Sequence, residues 1–232
     1  MRFPQTIRQL NFLITAGGTR EYIDPVRFIS NASTGKMGYE LARAAKAAGH
    51  NVTLITTIRN TNYEIRHAAQ RRARFGNTKL VFVDTAGEMF RAVKKNFSRC
   101  DCLIMAAAVS DYSPIKTSRL KIRKSSRYIT LKLKPTPDIL KWAGSHKRRE
   151  QIVICFALED RNLKTGAERK LKDKNLDIIV ANRPESIGAD KSTVWIKPAG
   201  GKWSSLEKKS KSTIARAVIG LAETTFLGSS HK

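Results

Sequence analysis

The chain has 232 residues, 41% of them apolar, and a formal net charge of +25. That length and apolar content suit one large α/β domain or two small ones with a proper core, which excludes a disordered chain. No stretch approaches the about 18 uninterrupted apolar residues of a membrane span, and the start MRFPQTIRQL lacks the apolar region of a secretory signal, so a cytoplasmic protein without a membrane partner is expected.

In chain order, NFLITAGG (11–18) is a predicted strand. A polar elbow, ISNASTG, leads from it to a helix from Lys36 to Ala48, whose Met37, Leu41, Ala45 and Ala48 fall at helical spacing; Gly49 stops it. NVTLITT (51–57) is a second strand, followed by a basic, Asn- and Arg-rich passage (58–78). KLVFVDT (79–85) is a third strand, and Met89, Val93 and Phe97 mark one face of the next helix. DCLIMAAAV (101–109) is almost wholly apolar, as a strand covered on both faces must be. The alternation in SRYITLKLKP then predicts a half-exposed strand, preceded by a Lys-rich flap. TPDILKWAG is a short helix with Pro137 and Asp138 in its first turn. QIVICFALE is a strand, LKTGAERKLKDKN a helix, LDIIVAN a strand, STVWIKPAGGKWSSLEK a Gly-turned hairpin and STIARAVIGLAETTF a closing helix. Such alternation predicts an α/β fold, a doubly wound and mainly parallel, Rossmann-like sheet with a hairpin or flap insertion.

Two compositional features leave alternatives open. Lys and Arg are spread through nearly every segment, so the charge reads as a solvated surface, with nonspecific nucleic-acid binding as the other outcome. Cys100, Cys102 and Cys155 form no C-x-x-C pair and read as buried free thiols.

Ligands of doubly wound sheets bind at the carboxyl ends of the strands. Here those ends are AGGTRE, AAAVSDY, CFALED and VANRPES, joined by the polar elbow at 30–36. Gly17 and Gly18 permit a tight turn and close approach of a ligand. Ser33, Thr34 and Gly35 offer N–H groups at a helix N-terminus, which suits an anion, or they cap the helix. STGKM is no P-loop, because Met37 replaces the magnesium-binding hydroxyl and Ser30 the first Gly. AGGTRE lacks the dinucleotide fingerprint, and a nicotinamide enzyme survives only through Arg59, which could meet a 2′-phosphate.

The runs ITAGGTREYIDPVRFISNASTGKMGYELA, AAAVSDY, LKIRK, TPDIL and KLKDKNLDIIVAN occur in order and at family spacing. Over roughly residues 11 to 226 the chain resembles phosphopantothenoylcysteine synthetase of the bacterial type, the synthetase domain alone. We therefore read 1–232 as a single domain with an N-terminal extension (1–10), a flap (112–134) and a tail (227–232). The resemblance implies a two-step ligation in coenzyme A synthesis. CTP, or ATP in other members, activates 4′-phosphopantothenate as an acyl-nucleotide with loss of pyrophosphate, and L-cysteine then captures the acyl group. Mg²⁺ would screen the phosphates, and a homodimer is implied.

Residue by residue, the resemblance makes Asn31 the donor to the acyl oxygen and Lys121 the flap cation that meets the phosphates. Arg27 is implied as a substrate anchor, with Gly18, Ser33, Thr34 and Gly35 around the same substrate. Ala107, Asp111, Lys121, Pro137, Asp138, Ile139, Leu140, Phe156, Lys170 and Lys174 are implied to hold the nucleotide. Lys170 and Lys174 are i,i+4 on one helix, a repulsive pair that a phosphate would relieve. The chain departs from the family at CFALED, where Cys155 stands for a usual Gly and a Leu enters a tight position. No metal ligands are implied.

Overall fold

The computed structural model describes residues 8–59, 78–126 and 128–229. Most of the basic passage at 58–78 lies outside the described residues, as do the first seven residues of the extension and the last three of the tail.

The parallel core begins with β1 (Asn11–Ala16), α1 (Lys36–Ala47), β4 (Asn51–Thr56), β5 (Lys79–Phe82) and α2 (Ala86–Phe97). It continues with β6 (Cys102–Met105), α3 (Ile139–His146), β9 (Ile152–Leu158), α4 (Leu163–Asp173) and β10 (Ile178–Asn182). An antiparallel hairpin, β11 (Lys191–Pro198) and β12 (Ser204–Ser210), and the closing helix α5 (Lys211–Ser229) complete it. The sheet runs β5-β4-β1-β6-β9-β10-β11-β12, parallel as far as β10. The expected doubly wound, mainly parallel sheet is what forms, and its first six strands have the order shared by dinucleotide-binding folds.

Alternation along each strand explains why the strands read as unbroken apolar runs. Phe12, Ile14 and Ala16 of β1 face α1 and α5, together with Ile104, Ile154 and Val180. The residues between them, Leu13, Leu103, Val153 and Ile179, face Met89 and Val93 of α2, Ala143 of α3 and Ala167 of α4. Both faces are covered, so neither phase of a strand can be polar.

Two small ladders stand off this sheet. β2 (Arg20–Tyr22) pairs with β3 (Phe28–Ser30), a hairpin too short and too charged to register as strands in the sequence. Its buried Glu21 anchors it by accepting the first N–H of α2, from Ala86, at 2.8 Å. β7 (Tyr112–Pro114) pairs with β8 (Leu133–Pro135) at the base of the flap. The ten-residue alternating strand expected at 126–135 is therefore only three residues long, and all three are exposed. With β7 as its sole partner it has no apolar layer to face, so the period of two in SRYITLKLKP had no sheet behind it. DCLIMAAAV likewise pairs in the sheet only as far as Met105, four residues before the predicted strand would end.

Candidate active site

β1 and β6 are neighbours whose following segments diverge to opposite faces of the sheet, which opens a crevice at their carboxyl ends. Buried polar groups fasten its floor. Thr15 Oγ1 accepts from the Ala107 N–H at 3.1 Å, Thr19 Oγ1 accepts from the Ser110 N–H at 2.9 Å, and Gly18 bridges Ala108. Above them lies a cavity of about 750 Å³.

The polar elbow forms one wall. Asn31 donates its side-chain amide to the Val109 carbonyl at 3.0 Å, which leaves its second amide hydrogen uncommitted to that bond. Gly18 sits beneath it without lining the cavity: a Cβ there would lie 2.5 Å from the Asn31 carbonyl oxygen. The Gly turn and the elbow thus meet backbone to backbone. Ser33, Thr34 and Gly35 all line the cavity. Gly35 is itself the N-cap of α1, at φ 69°, and no side chain caps that helix. Ser33 and Thr34 instead hold the elbow in two short turns, accepting from the Gly35 and Lys36 N–H groups at 3.3 and 3.4 Å. Neither hydroxyl occupies the N-cap position, which the left-handed Gly35 takes, although Thr34 does satisfy the first N–H of α1.

The opposite wall comes from loops after β6, β8 and β9. Ala107 and Asp111 line it. Thr136 fixes its course by donating its hydroxyl to the Ser110 carbonyl at 2.6 Å and its N–H to the Asp111 carbonyl at 2.9 Å. That holds Pro137, Asp138, Ile139 and Leu140 against the cavity. Asp138 is the N-cap of α3, not a first-turn residue, and accepts from the Lys141 N–H at 3.0 Å. Burial pushes its carboxyl pKa up, but the Lys141 N–H and the Lys174 ammonium at 2.9 Å outweigh this and hold it below the ordinary range. Phe156, Lys170 and Lys174 also line the cavity. Lys170 pairs with Glu159 at 3.0 Å, so the expected repulsion between the two lysines is already relieved by two carboxylates.

Cys155 also lines the cavity. Burial pushes its thiol pKa up to about 11, against the pull of Lys170 and Lys174, so the group is a neutral thiol near pH 7. It is free and buried, like Cys100 and Cys102.

Besides Gly18, two expected site residues stand outside the cavity. Arg27 spends its guanidinium on Asp24, through Nε at 2.9 Å and also through Nη2, and on the Ile122 carbonyl at 2.6 Å. Asp24 is fully buried and accepts from the Ile122 N–H at 3.1 Å as well, and the Arg27 guanidinium keeps its carboxyl well below the usual range. Residues 117–122 of the flap are thereby tied to the β2–β3 turn, together with Thr117 Oγ1, which donates to the Tyr22 carbonyl at 2.9 Å. Lys121, exposed within this tied stretch, does not line the cavity. The cavity also takes in Lys36 of the elbow and Asn182 and Ser186 of VANRPES, which lay within the expected strand-end segments without an assigned role, and Ser192 and Lys211, which had no place in the sequence expectations. Asn182 ends a predicted strand and so could have been found; Lys211 is one lysine among several in KKSKS, with nothing to distinguish it.

Among the described residues no group of three or more His, Cys, Asp or Glu side chains is placed to hold a metal, and no helix is long and apolar enough to cross a membrane. The aspartates lining the cavity are Asp111 and Asp138, of which Asp138 is committed to Lys174.

Residues 7–225 match the family model described as the DNA/pantothenate metabolism flavoprotein C-terminal domain. The chain belongs to this family. Within the DNA/pantothenate metabolism flavoprotein C-terminal domain family, it is similar to the coenzyme A biosynthesis bifunctional protein CoaBC of Bacillus subtilis (strain 168), 42% identical over 177 residues, which is 76% of this chain and 41% of that protein. A protein from an unknown prokaryotic organism, named cysteine/cysteine sulfinic acid decarboxylase, is 38% identical over 213 residues, 89% of this chain and 56% of its own length. The chain spans about half the length of the curated relatives it matches. The crystal structure of the C-terminal domain of a CoaBC protein superposes with a TM-score of 0.77 at 30% identity, covering 97% of this chain and all of that domain.

Proposed function

We propose that this chain is a phosphopantothenate–cysteine ligase that joins 4′-phosphopantothenate to L-cysteine through an acyl-nucleotide. The observation that carries this reading is one cavity, at the strand ends of a family member, in which the Asn31 elbow faces the Pro137–Leu140 turn and Lys170 and Lys174. A carboxylate oxygen of the substrate attacks the α-phosphorus of CTP and pyrophosphate leaves. The neutral cysteine amine then attacks the acyl carbon, its nitrogen gives up a proton to solvent, and CMP leaves with the electron pair of the broken bond. The second amide hydrogen of Asn31 points this chemistry at the acyl oxygen, where negative charge grows as cysteine adds; a donor fixed by the Val109 carbonyl needs no reorganisation to meet it.

Lys170 and Lys174 bind the nucleotide by exchanging their carboxylate partners for it. Magnesium enters with the triphosphate, as part of the substrate, because Mg²⁺ is held well by one or two carboxylates plus phosphates. CTP is the preferred nucleotide. The working unit is a homodimer, and the support for this is a run of exposed apolar side chains on the β2–β3 hairpin and the flap: Phe28, Ile115, Leu120, Tyr128, Ile129 and Leu131.

The test is pyrophosphate release from CTP and from ATP, with and without 4′-phosphopantothenate and cysteine. Release that needs the acid substrate, and product that needs cysteine, is the expected result. Carbon dioxide from cysteine without pyrophosphate would overturn the ligase reading, and faster turnover with ATP would overturn the CTP preference alone. Sedimentation at micromolar concentration checks the dimer, with Tyr128→Asp expected to dissociate it.

A further inference from the structure

A second cationic end of the cavity has no part in those steps. Lys170 and Lys174 belong to α4, which packs on one face of the sheet; Lys211 begins α5, which packs on the other. Lys211 is only 8% exposed, yet it lines the cavity beside Lys36, Ser186 and Ser192. Its Nζ donates to the Ser186 carbonyl at 3.0 Å and to Ser192 Oγ at 3.5 Å, and both partners are neutral. Ser186 is itself held by the Asn182 amide. Among the described residues no carboxylate pairs with Lys211; Asp190, the acid whose charge favours it, is bound by Lys36.

An ammonium has three donors, and two are accounted for here. A buried cation without a counter-charge is unfavourable, and burial together with the neighbouring Lys36 lowers the Lys211 pKa. A strut between α5 and the turn after β10 needs no charge: a glutamine would reach the Ser186 carbonyl nearly as well. The charge is explained by an anion arriving in the cavity.

We infer that Lys211, with Lys36 beside it, is the receptor for a phosphoryl group at the α1/α5 end of the cavity, its third N–H meeting a phosphate oxygen. The identity of that group rests on the ligase reading, which brings two phosphoryl-bearing ligands: the pyrophosphate portion of the nucleoside triphosphate and the phosphate monoester of 4′-phosphopantothenate. Both ask the same of this end of the cavity, a buried positive charge that distinguishes a phosphoryl group from water.

Isothermal titration of the wild-type chain and Lys211→Met with inorganic pyrophosphate, 4′-phosphopantothenate and CMP tests this. Loss of one charge-assisted contact should weaken either pyrophosphate or 4′-phosphopantothenate at least tenfold, and which of the two responds identifies the source. CMP binding, assigned to the α4 side, should stay within about twofold, and Lys211→Arg should restore most of the lost affinity. The melting temperature of Lys211→Met without ligand should hold or rise, since an uncompensated charge is gone. If that variant unfolds, Lys211→Gln carries the same comparison. Wild-type affinity for pyrophosphate and 4′-phosphopantothenate in both neutral variants overturns the inference and leaves the ligase reading standing. A wild-type chain that binds neither ligand overturns both.

Discussion

Replacing Gly18 by alanine tests whether the two turns of the site are coupled. The added methyl would sit 2.5 Å from the Asn31 carbonyl oxygen and 3.1 Å from Ser30 Oγ, so one side must retreat by roughly 1 Å to reach ordinary contact. The strand side cannot move easily, because Gly18 bridges Ala108 and the buried Thr19 is bonded to Ser110. The elbow yields instead, carrying the Asn31 amide away from its 3.0 Å bond to Val109. Overpacking of this kind costs about 1–3 kcal/mol, which for a chain of this size lowers the melting temperature by roughly 2–12 °C. A displacement of about 1 Å at a positioned group lowers a rate by about 10²-fold. Calorimetric melting and cysteine-dependent product formation should therefore both respond, the second far more. A Gly18→Ala protein with an unchanged melting temperature and a rate within about twofold of wild type would refute the coupling of turn and elbow.

Asp24→Asn should loosen the flap and flatten acid sensitivity. Because the Arg27 guanidinium lowers the folded-state pKa of Asp24, its stabilisation is complete above the ordinary carboxylate pKa of 3.8 and is lost as pH falls below it. Melting followed from pH 7 to 2 should show the wild-type chain losing, mostly below pH 3.8, stability that the variant already lacks at neutral pH, with trypsin at neutral pH cutting the variant faster at Lys121 and Arg123. Cys155, whose thiol titrates at about 11, should resist iodoacetamide at pH 8 in the folded chain, and Cys155→Ala should leave pyrophosphate release intact; rapid alkylation with loss of activity would contradict its assignment as an inert core thiol. Asp138→Ala removes the N-cap of α3 and the partner of Lys174, so stability should fall by about 0.5–2 kcal/mol in urea unfolding, with CTP affinity changed as well; unaltered urea midpoints would mean the cap bond carries no weight.

The order of strands and helices was legible because the central parallel strands are buried on both faces and each helix on one, so period and apolar run length encode them directly. The elbow was legible for a similar local reason: Ser33, Thr34 and Gly35 open a helix beside a Gly pair, and no distant contact is needed to see that polar N–H groups gather there. What depends on contacts far apart in the chain was not. The roles of Arg27 and Asp24 are set by Ile122, 95 and 98 residues away, and the partners of Lys170 and Lys174 by how β9 and α3 pack on α4. The alternation at 126–135 is a true local pattern to which the tertiary structure gives no sheet. Lys211 shows the limit most plainly: its sequence neighbours are solvated lysines, and only the packing of α5 against the turn after β10 buries this one and turns it into the cavity. Burial is a property of the assembled chain, and a charge draws its chemistry from burial.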